Sequence, residues 1–167
     1  MSRTEIELRE LDFVTIGTIG PRGQRVFHLQ AGRGSQIFTF IIEKEQAWAL
    51  AEAVQQVIDD YDERHQTKTE VEMAAFDMEL REPIQPLFRV AQMGLALDEE
   101  AGMIILIAQE MVMPSENDDE EGAPEPAVAR LWATLPQMRA LSLHAIDTVE
   151  QGRPSPRQNG RITYYWM

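Results

Sequence analysis

The stretch FVTIGTIGPRGQRVFHLQAGRGSQIFTFII, residues 13–42, decides the fold of this chain. Residues 13–19 and 25–31 are rich in β-branched and apolar side chains, and the glycines and proline between them are typical of a turn. We therefore expect a β-hairpin. A second turn leads into a third strand at 37–42, which is apolar on both faces and is expected near the middle of a sheet.

The second strand of this hairpin indicates which side of the sheet is buried. Phe27 and Leu29 point to one face, and Val26, His28 and Gln30 point to the other, because side chains alternate along a strand. This alternation predicts a half-buried strand.

The chain changes from strand to helix near residue 43. Apolar residues recur at steps of three and four over 44–63, which predicts an amphipathic helix. Its apolar stripe consists of Ala47, Leu50, Ala51, Val54, Val57, Ile58 and Tyr61. An acidic connector follows, with one short strand expected around 78–80.

A second set of the same elements follows the connector. Residues 88–97 and 103–110 predict another hairpin, 129–134 predict a strand and 136–150 predict a helix.

Hairpin, strand and helix thus recur in the same order in two halves, 13–63 and 88–150. At a constant offset Phe40, Ile41, Gln46, Ala49 and Leu50 align with Leu131, Trp132, Gln137, Ala140 and Leu141. Chance resemblance between amphipathic junctions is the alternative to a repeat. We expect an α+β fold in which two βββα halves, related by a pseudo-twofold axis, pack antiparallel sheet against two main helices.

Composition favours one soluble domain spanning 1–167. The chain has 167 residues, 44% of them hydrophobic, and a formal net charge of −13. It contains no cysteine, which excludes disulfides, thiolate nucleophiles and thiolate zinc sites. No apolar run is long enough to span a bilayer and the start lacks the apolar core of a signal peptide, so we expect a cytoplasmic protein without membrane contact.

Two segments are expected to lie outside the packed core. Residues 114–126, PSENDDEEGAPEP, bury too little apolar surface to order themselves, which predicts a mobile acidic loop. Residues 151–167 form a C-terminal tail without acidic residues.

Positive charge is concentrated in stretches that contain no acid. Arg22 and Arg25 lie at the first hairpin, and Arg153 and Arg157 lie in the tail. Because like charges repel without an anion between them, their clustering in an acidic chain indicates a shared anion site. The alternative is that each arginine pairs separately with a surface carboxylate.

Histidines offer one further candidate. His28 and Gln30 share a strand face beside the arginines of the turn, and we expect them to line the same anion site. His28, His65 and His144 do not stand at the spacing of a metal site, so neither a metal nor another cofactor is expected.

Three functions remain open. The first is a non-catalytic binding or regulatory module that recognises an anionic, for example phosphorylated, ligand or an acidic partner segment through the arginines. The second is a phosphoryl- or acyl-transfer or hydrolysis enzyme, with His28 as general acid or base and Arg22, Arg25 or Arg157 stabilising charge. The third is single-stranded nucleic-acid binding, which the net charge of −13 disfavours.

Three segments carry a resemblance to a known family: GTIGPRGQRVFHLQ at 17–30, FRVAQMGLALDEEAGMIILIAQE at 88–110 and QGRPSPRQNG at 151–160. In these segments and their order the chain resembles DUF3090, an uncharacterised bacterial family, over most of its length. The resemblance implies no reaction. It implies a kinase-like protein as a partner, because genes of the family often lie near those of a kinase-like and a histidine-phosphatase-like protein.

Members of that family typically carry a cysteine-rich, zinc-ribbon-like segment between Gly-Arg-Pro and Pro-Arg-x-Asn-Gly. Here GRP at 152–154 is followed through Ser155 directly by PRQNG at 156–160, so the segment is missing. The resemblance therefore transfers no metal ligand to this chain. His28 also stands where the family usually has an aromatic residue such as tyrosine.

Overall fold

The computed structural model describes residues 4–113 and 125–151. The described elements are, in chain order, β1 (Glu5–Leu8), β2 (Phe13–Ile19), β3 (Val26–Arg33), β4 (Gln36–Ile42), α1 (Lys44–His65), a 3₁₀ turn (Met73–Ala75), β5 (Pro86–Asp98), β6 (Met103–Glu110), β7 (Val128–Thr134) and α2 (Leu135–Gln151). The fold is α+β, as predicted. Residues 114–124 of the predicted acidic loop and 152–167 of the predicted tail lie outside the described residues.

The described strands form one mixed sheet in the order β1-β7-β6-β5-β4-β3-β2. Most neighbours are antiparallel, but β1 pairs with β7 and β4 pairs with β5 in parallel. The sheet is therefore mixed rather than purely antiparallel. The reason is that α1 and the connector return the chain from the end of β4 to the start of β5, so both strands run the same way. β1, which was not predicted, lies parallel beside β7.

A short link joins the two opposite edges of this sheet. β1 and β2 are consecutive in the chain, yet they are the first and last strands in the sheet order. Between them, Leu11 donates its N–H to the Trp132 carbonyl at 3.1 Å and Asp12 donates to the Gly32 carbonyl at 2.8 Å. Adjacent residues thus contact β7 on one side and β3 on the other, so the sheet curls until its edges meet.

Both helices bury their apolar stripes on the inner face of the curled sheet. Phe27 and Leu29 of β3 lie in this core, where Leu29 aligns with Ile16 and Phe40 on the neighbouring strands. The prediction that β3 is half-buried is wrong, because the connector covers the other face and leaves His28 and Gln30 buried as well. The helices add Leu50, Val54, Ile58, Met138, Leu141 and Ala145 to the same core. Arg139 of α2 also binds Asp59 of α1 at 2.9 Å, so the helices are tied to each other as well as to the sheet.

The connector between α1 and β5 lies on the outer face of β2 and β3. The Thr15 hydroxyl donates to the Met78 carbonyl at 2.7 Å, and the Gln30 amide binds both the carbonyl and the N–H of Arg81. The short strand predicted around 78–80 is absent from the described elements. Here sheet side chains, rather than a neighbouring strand, satisfy the connector backbone.

The described elements contain two runs of three strands and a helix, β2-β3-β4-α1 and β5-β6-β7-α2. Both helices begin where a glutamine side chain folds back onto the strand end. The Gln46 amide oxygen accepts from the Glu43 N–H at 2.7 Å, and that of Gln137 accepts from the Thr134 N–H at 2.8 Å. The order of elements agrees with the predicted halves, and their relation by a pseudo-twofold axis stays a prediction.

Candidate functional site

The turn between β2 and β3 carries the first pair of predicted site residues. Gly20 and Gly23 have φ angles of 113° and 87°, which lie in the left-handed region that favours glycine. Arg22 is exposed between them, and Arg25 is partly exposed where β3 begins. This arginine turn, defined by Arg22 and Arg25, is therefore set by the backbone at the end of one hairpin and is accessible from solvent.

Neither residue of the arginine turn forms an ion pair or a ring contact with any described residue. Every other described arginine contacts a carboxylate or an aromatic ring, namely Arg9, Arg33, Arg64, Arg81, Arg89, Arg130 and Arg139. Guanidinium groups offer paired donors that match the oxygens of a phosphate or carboxylate. The arginine turn thus presents such donors without a described partner.

Gln30 lies in the middle of β3 and is fully buried. Its amide nitrogen donates to the Thr39 hydroxyl at 3.0 Å and to the Arg81 carbonyl at 2.9 Å. Its amide oxygen accepts from the Arg81 N–H at 2.7 Å. All of these partners belong to the fold, so the described contacts of Gln30 fix the connector to the sheet.

His28 lies two residues before Gln30 on the same face and is 5% exposed. Its Nδ1 lies 2.9 Å from the Val26 carbonyl, so a proton on that nitrogen is donated to the backbone. Gly17 is the β2 residue in register with His28, and Leu80 of the connector fills the space where Gly17 has no side chain. The structure therefore places His28 and Gln30 under the connector, on the strand that follows the arginine turn.

Arg153 and Arg157 lie outside the described residues. The predicted approach of the tail to the arginine turn therefore stays a prediction. Within residues 4–113 and 125–151, no group of three or more histidine, aspartate or glutamate side chains is arranged to hold a metal ion. Neither of the two α-helices in this part of the chain combines the length and the apolar character that crossing a membrane requires.

None of the sequence patterns above predicts the groove that lies between α1 and β5. The groove has a volume of about 470 Å³ and is lined mainly by apolar groups, including Ala49, Ala53 and Val57 from α1 and Met93 and Leu95 from β5. One signal was available in the sequence, because two alanines spaced one helical turn apart leave room beside a helix. The strand lengths give another, since β5 has 13 residues and its parallel neighbour β4 has 7.

Comparison with known proteins gives one finding and two absences. The family model described as "Protein of unknown function (DUF3090)" matches residues 6–160, nearly the whole chain. No curated protein matches, and no solved structure matches. The resemblance carried by the three sequence segments is therefore confirmed.

Proposed function

The chain belongs to the DUF3090 family, and because the description of that family names no activity, we propose a function from the geometry of this member. The proposed function is that of a non-catalytic binding module that recognises an anionic group, a phosphate or a carboxylate, through the arginine turn. Such a module recognises either a phosphorylated ligand or an acidic segment of a partner.

The observation that supports this proposal is the lack of described partners for Arg22 and Arg25. In a chain with a net charge of −13, carboxylates are plentiful, and the other described arginines contact them or aromatic rings. Arg22 and Arg25 lie on the same hairpin, so their positive charges repel each other, and an anion bound by both offsets that repulsion. An acidic protein with a local cationic site also rejects polyanions that lack the right geometry.

The enzyme alternative has weaker support. It needs His28 to reach the reacting group of a substrate, because a general base works within hydrogen-bond distance of the proton that it removes. His28 is 5% exposed, and its Nδ1 faces the Val26 carbonyl. Single-stranded nucleic-acid binding has weaker support as well, since bases stack on an open sheet surface and the connector occupies the outer face of β2 and β3.

Isothermal titration calorimetry at low ionic strength tests the proposed site, with inorganic pyrophosphate and a glutamate-rich peptide as separate probes. We expect binding that weakens about tenfold or more in the double variant Arg22→Gln, Arg25→Gln, because each charge-assisted hydrogen bond contributes about 1.5–3 kcal/mol. Arg33→Gln is the matched control. It removes one positive charge from the other end of β3, where Arg33 already faces Glu10 at 3.6 Å.

The outcomes of this titration distinguish a phosphorylated ligand from an acidic partner segment. Binding of pyrophosphate alone indicates a phosphorylated ligand, and binding of the peptide alone indicates an acidic partner segment. Unchanged affinity in the double variant, or equal loss in the Arg33→Gln control, contradicts the site. A second double variant, Arg153→Gln and Arg157→Gln, tests whether the tail contributes.

We also infer that the two halves are an internal repeat. Two features support it. β5 pairs in parallel with β4 up to Arg89 and then pairs antiparallel with β6. In the other half, β1 and β2 together do the same, since β1 pairs in parallel with β7 and β2 then pairs antiparallel with β3. At the change of partner, Gln46 donates to the Val90 carbonyl at 3.2 Å and Gln137 donates to the Leu11 carbonyl at 2.7 Å. An experimental structure in which the halves fail to superpose would contradict the repeat.

A further inference from the structure

We propose that the groove between α1 and β5 binds an extended, basic and apolar peptide segment of a protein partner, by adding it as a strand to the free edge of β5. This peptide groove is separate from the arginine turn and takes a ligand of opposite charge. The proposal therefore does not rest on the proposed function.

The first observation is that, among the described residues, no strand lies beside one edge of β5 beyond Arg89. The register with β4 ends at Arg89, whereas the register with β6 continues to Asp98. Apart from their β6 partners, the backbone groups of residues 92–97 bond to no described residue. Unpaired N–H and C=O groups along a strand form a template to which an extended peptide can pair.

The second observation is that the described residues leave an apolar groove beside this edge. Ala49 and Ala53 are exposed and lie one turn apart on the helix face that lines the groove. The groove volume of about 470 Å³ falls within the range of about 300–1,000 Å³ found for ligand pockets. Strand addition needs this kind of room, because alternate side chains of the added strand point toward the helix.

At the edge of β2, the corresponding space between strand and helix is filled by side chains. Among the described strands β2 also has a neighbour on one side only, and α2 packs against it. His144 lies seven residues after Gln137, where burial lowers its pKa and an interaction with the Ile16 backbone raises it. The residue seven positions after Gln46 is Ala53, whose methyl group is too short to reach β5 in this way. The groove at β5 is therefore open because of a specific small side chain.

The third observation is the charge beside the groove. Glu52 is exposed one turn after Ala49, and Asp60 is exposed one turn after Val57. Neither carboxylate forms an ion pair with a described cation. A segment that carries lysine or arginine beside its apolar residues is attracted to this rim, and an acidic segment is repelled.

Fluorescence anisotropy with two synthetic peptides tests the proposal on the full chain. The probe KVTVTVK has basic ends, and EVTVTVE has the same core with acidic ends. We expect KVTVTVK to bind about tenfold or more tightly than EVTVTVE, because only the first complements the rim. Equal binding of the two peptides, or no binding of KVTVTVK, would overturn the proposal.

A variant that fills the groove tests the location. Ala53→Leu places a larger side chain beside β5 at an exposed helical position, so the fold is expected to persist and circular dichroism checks that it does. Binding of KVTVTVK should weaken about tenfold or more, because the added side chain occupies the space of a peptide side chain. The matched control is Ala74→Leu, at an exposed alanine of the 3₁₀ turn outside the groove. Unchanged binding in Ala53→Leu overturns the proposal.

Amide hydrogen exchange tests the mode of binding. On addition of KVTVTVK, exchange of amides within 92–97 should slow, since the peptide supplies their missing acceptors. Protection confined to other strands would contradict strand addition. A peptide with the sequence of residues 152–167 is the competitor, because that segment is also basic. If this peptide protects the same amides and displaces KVTVTVK, the occupant belongs to this chain and the assignment to a partner fails.

Discussion

His144 shows at the level of one residue how burial sets the chemistry of a side chain. Burial lowers the pKa of His144 below its usual 6.5, and this effect outweighs the hydrogen bond with the Ile16 backbone and the charge of Asp147, which raise it. The folded protein therefore holds this imidazole neutral at a pH where an exposed histidine is already taking up a proton.

The stability of the protein should consequently depend on pH through His144. Above the unfolded-state pKa of about 6.5, the contribution of neutral His144 to the free energy of unfolding is complete. This contribution is lost as the pH falls toward the lower folded-state pKa, because in that range only the unfolded chain binds the proton. We expect His144→Gln to remove this part of the pH dependence, since glutamine donates a hydrogen bond without titrating. Urea unfolding at about pH 5.5 and about pH 7.5 measures it.

The control for this measurement is His65→Gln, which removes an exposed histidine at the end of α1. That variant should keep the dependence that His144 causes. If wild type and His144→Gln lose equal stability between the two pH values, His144 is not the source of the pH dependence.

At the level of elements, α1 and α2 start in the same way. In each helix a glutamine in the first turn accepts a hydrogen bond from the backbone at the end of the preceding strand, at Glu43 and at Thr134. The same two glutamines, Gln46 and Gln137, donate to the backbone of a more distant segment. A side chain that both starts a helix and holds it against the sheet couples local structure to packing.

Removing either glutamine should therefore lower the free energy of unfolding more than a surface substitution does. We expect Gln137→Ala and Gln46→Ala each to lower the free energy of unfolding by about 1–2 kcal/mol, because each leaves a backbone N–H and a carbonyl without a partner. Gln56→Ala is the control, since Gln56 is an exposed residue of α1 that donates to Asp60 on the same helix. Denaturant unfolding measures the decrease in the free energy of unfolding for each variant. An equal decrease in Gln56→Ala would contradict the coupling.

At the level of the whole molecule, the connector is held in place by the sheet. Gln30 spans the sheet and the connector with hydrogen bonds to Thr39 and to both backbone groups of Arg81. Arg81 in turn places its guanidinium 3.7 Å from the centre of the Phe13 ring. A segment without strands is thereby ordered through side chains of distant residues.

Gln30→Leu should loosen this segment without removing the fold. We expect the free energy of unfolding to fall by about 2–3 kcal/mol, because the Arg81 N–H and carbonyl are left without partners. Limited proteolysis should then cut the chain between α1 and β5 faster than in wild type. Gln36→Leu, at an exposed position in β4, is the control and should change neither quantity. Cleavage at wild-type rates in Gln30→Leu would show that Gln30 does not hold the connector.

The elements that local patterns define were predictable. The strand at 13–19 and the helix at 44–63 follow from side-chain periodicity, and the structure agrees to within a few residues. The side of β3 that carries Phe27 and Leu29 toward the core also follows from alternation. These features depend on neighbours in the chain, so their signals lie within a short window of sequence.

Features that join distant residues were not predictable in the same way. The pairing of β1 with β7 and the meeting of the sheet edges at Leu11 and Asp12 arise only when the chain is folded, because backbone hydrogen bonds between strands carry no signal in residue type. The same holds for the site. The sequence alone shows that Arg22 and Arg25 flank a turn. It does not show that they lack described partners, or that the edge of β5 beside Ala53 is unpaired among the described strands. Both features depend on which surfaces the packed helices cover and which they leave open.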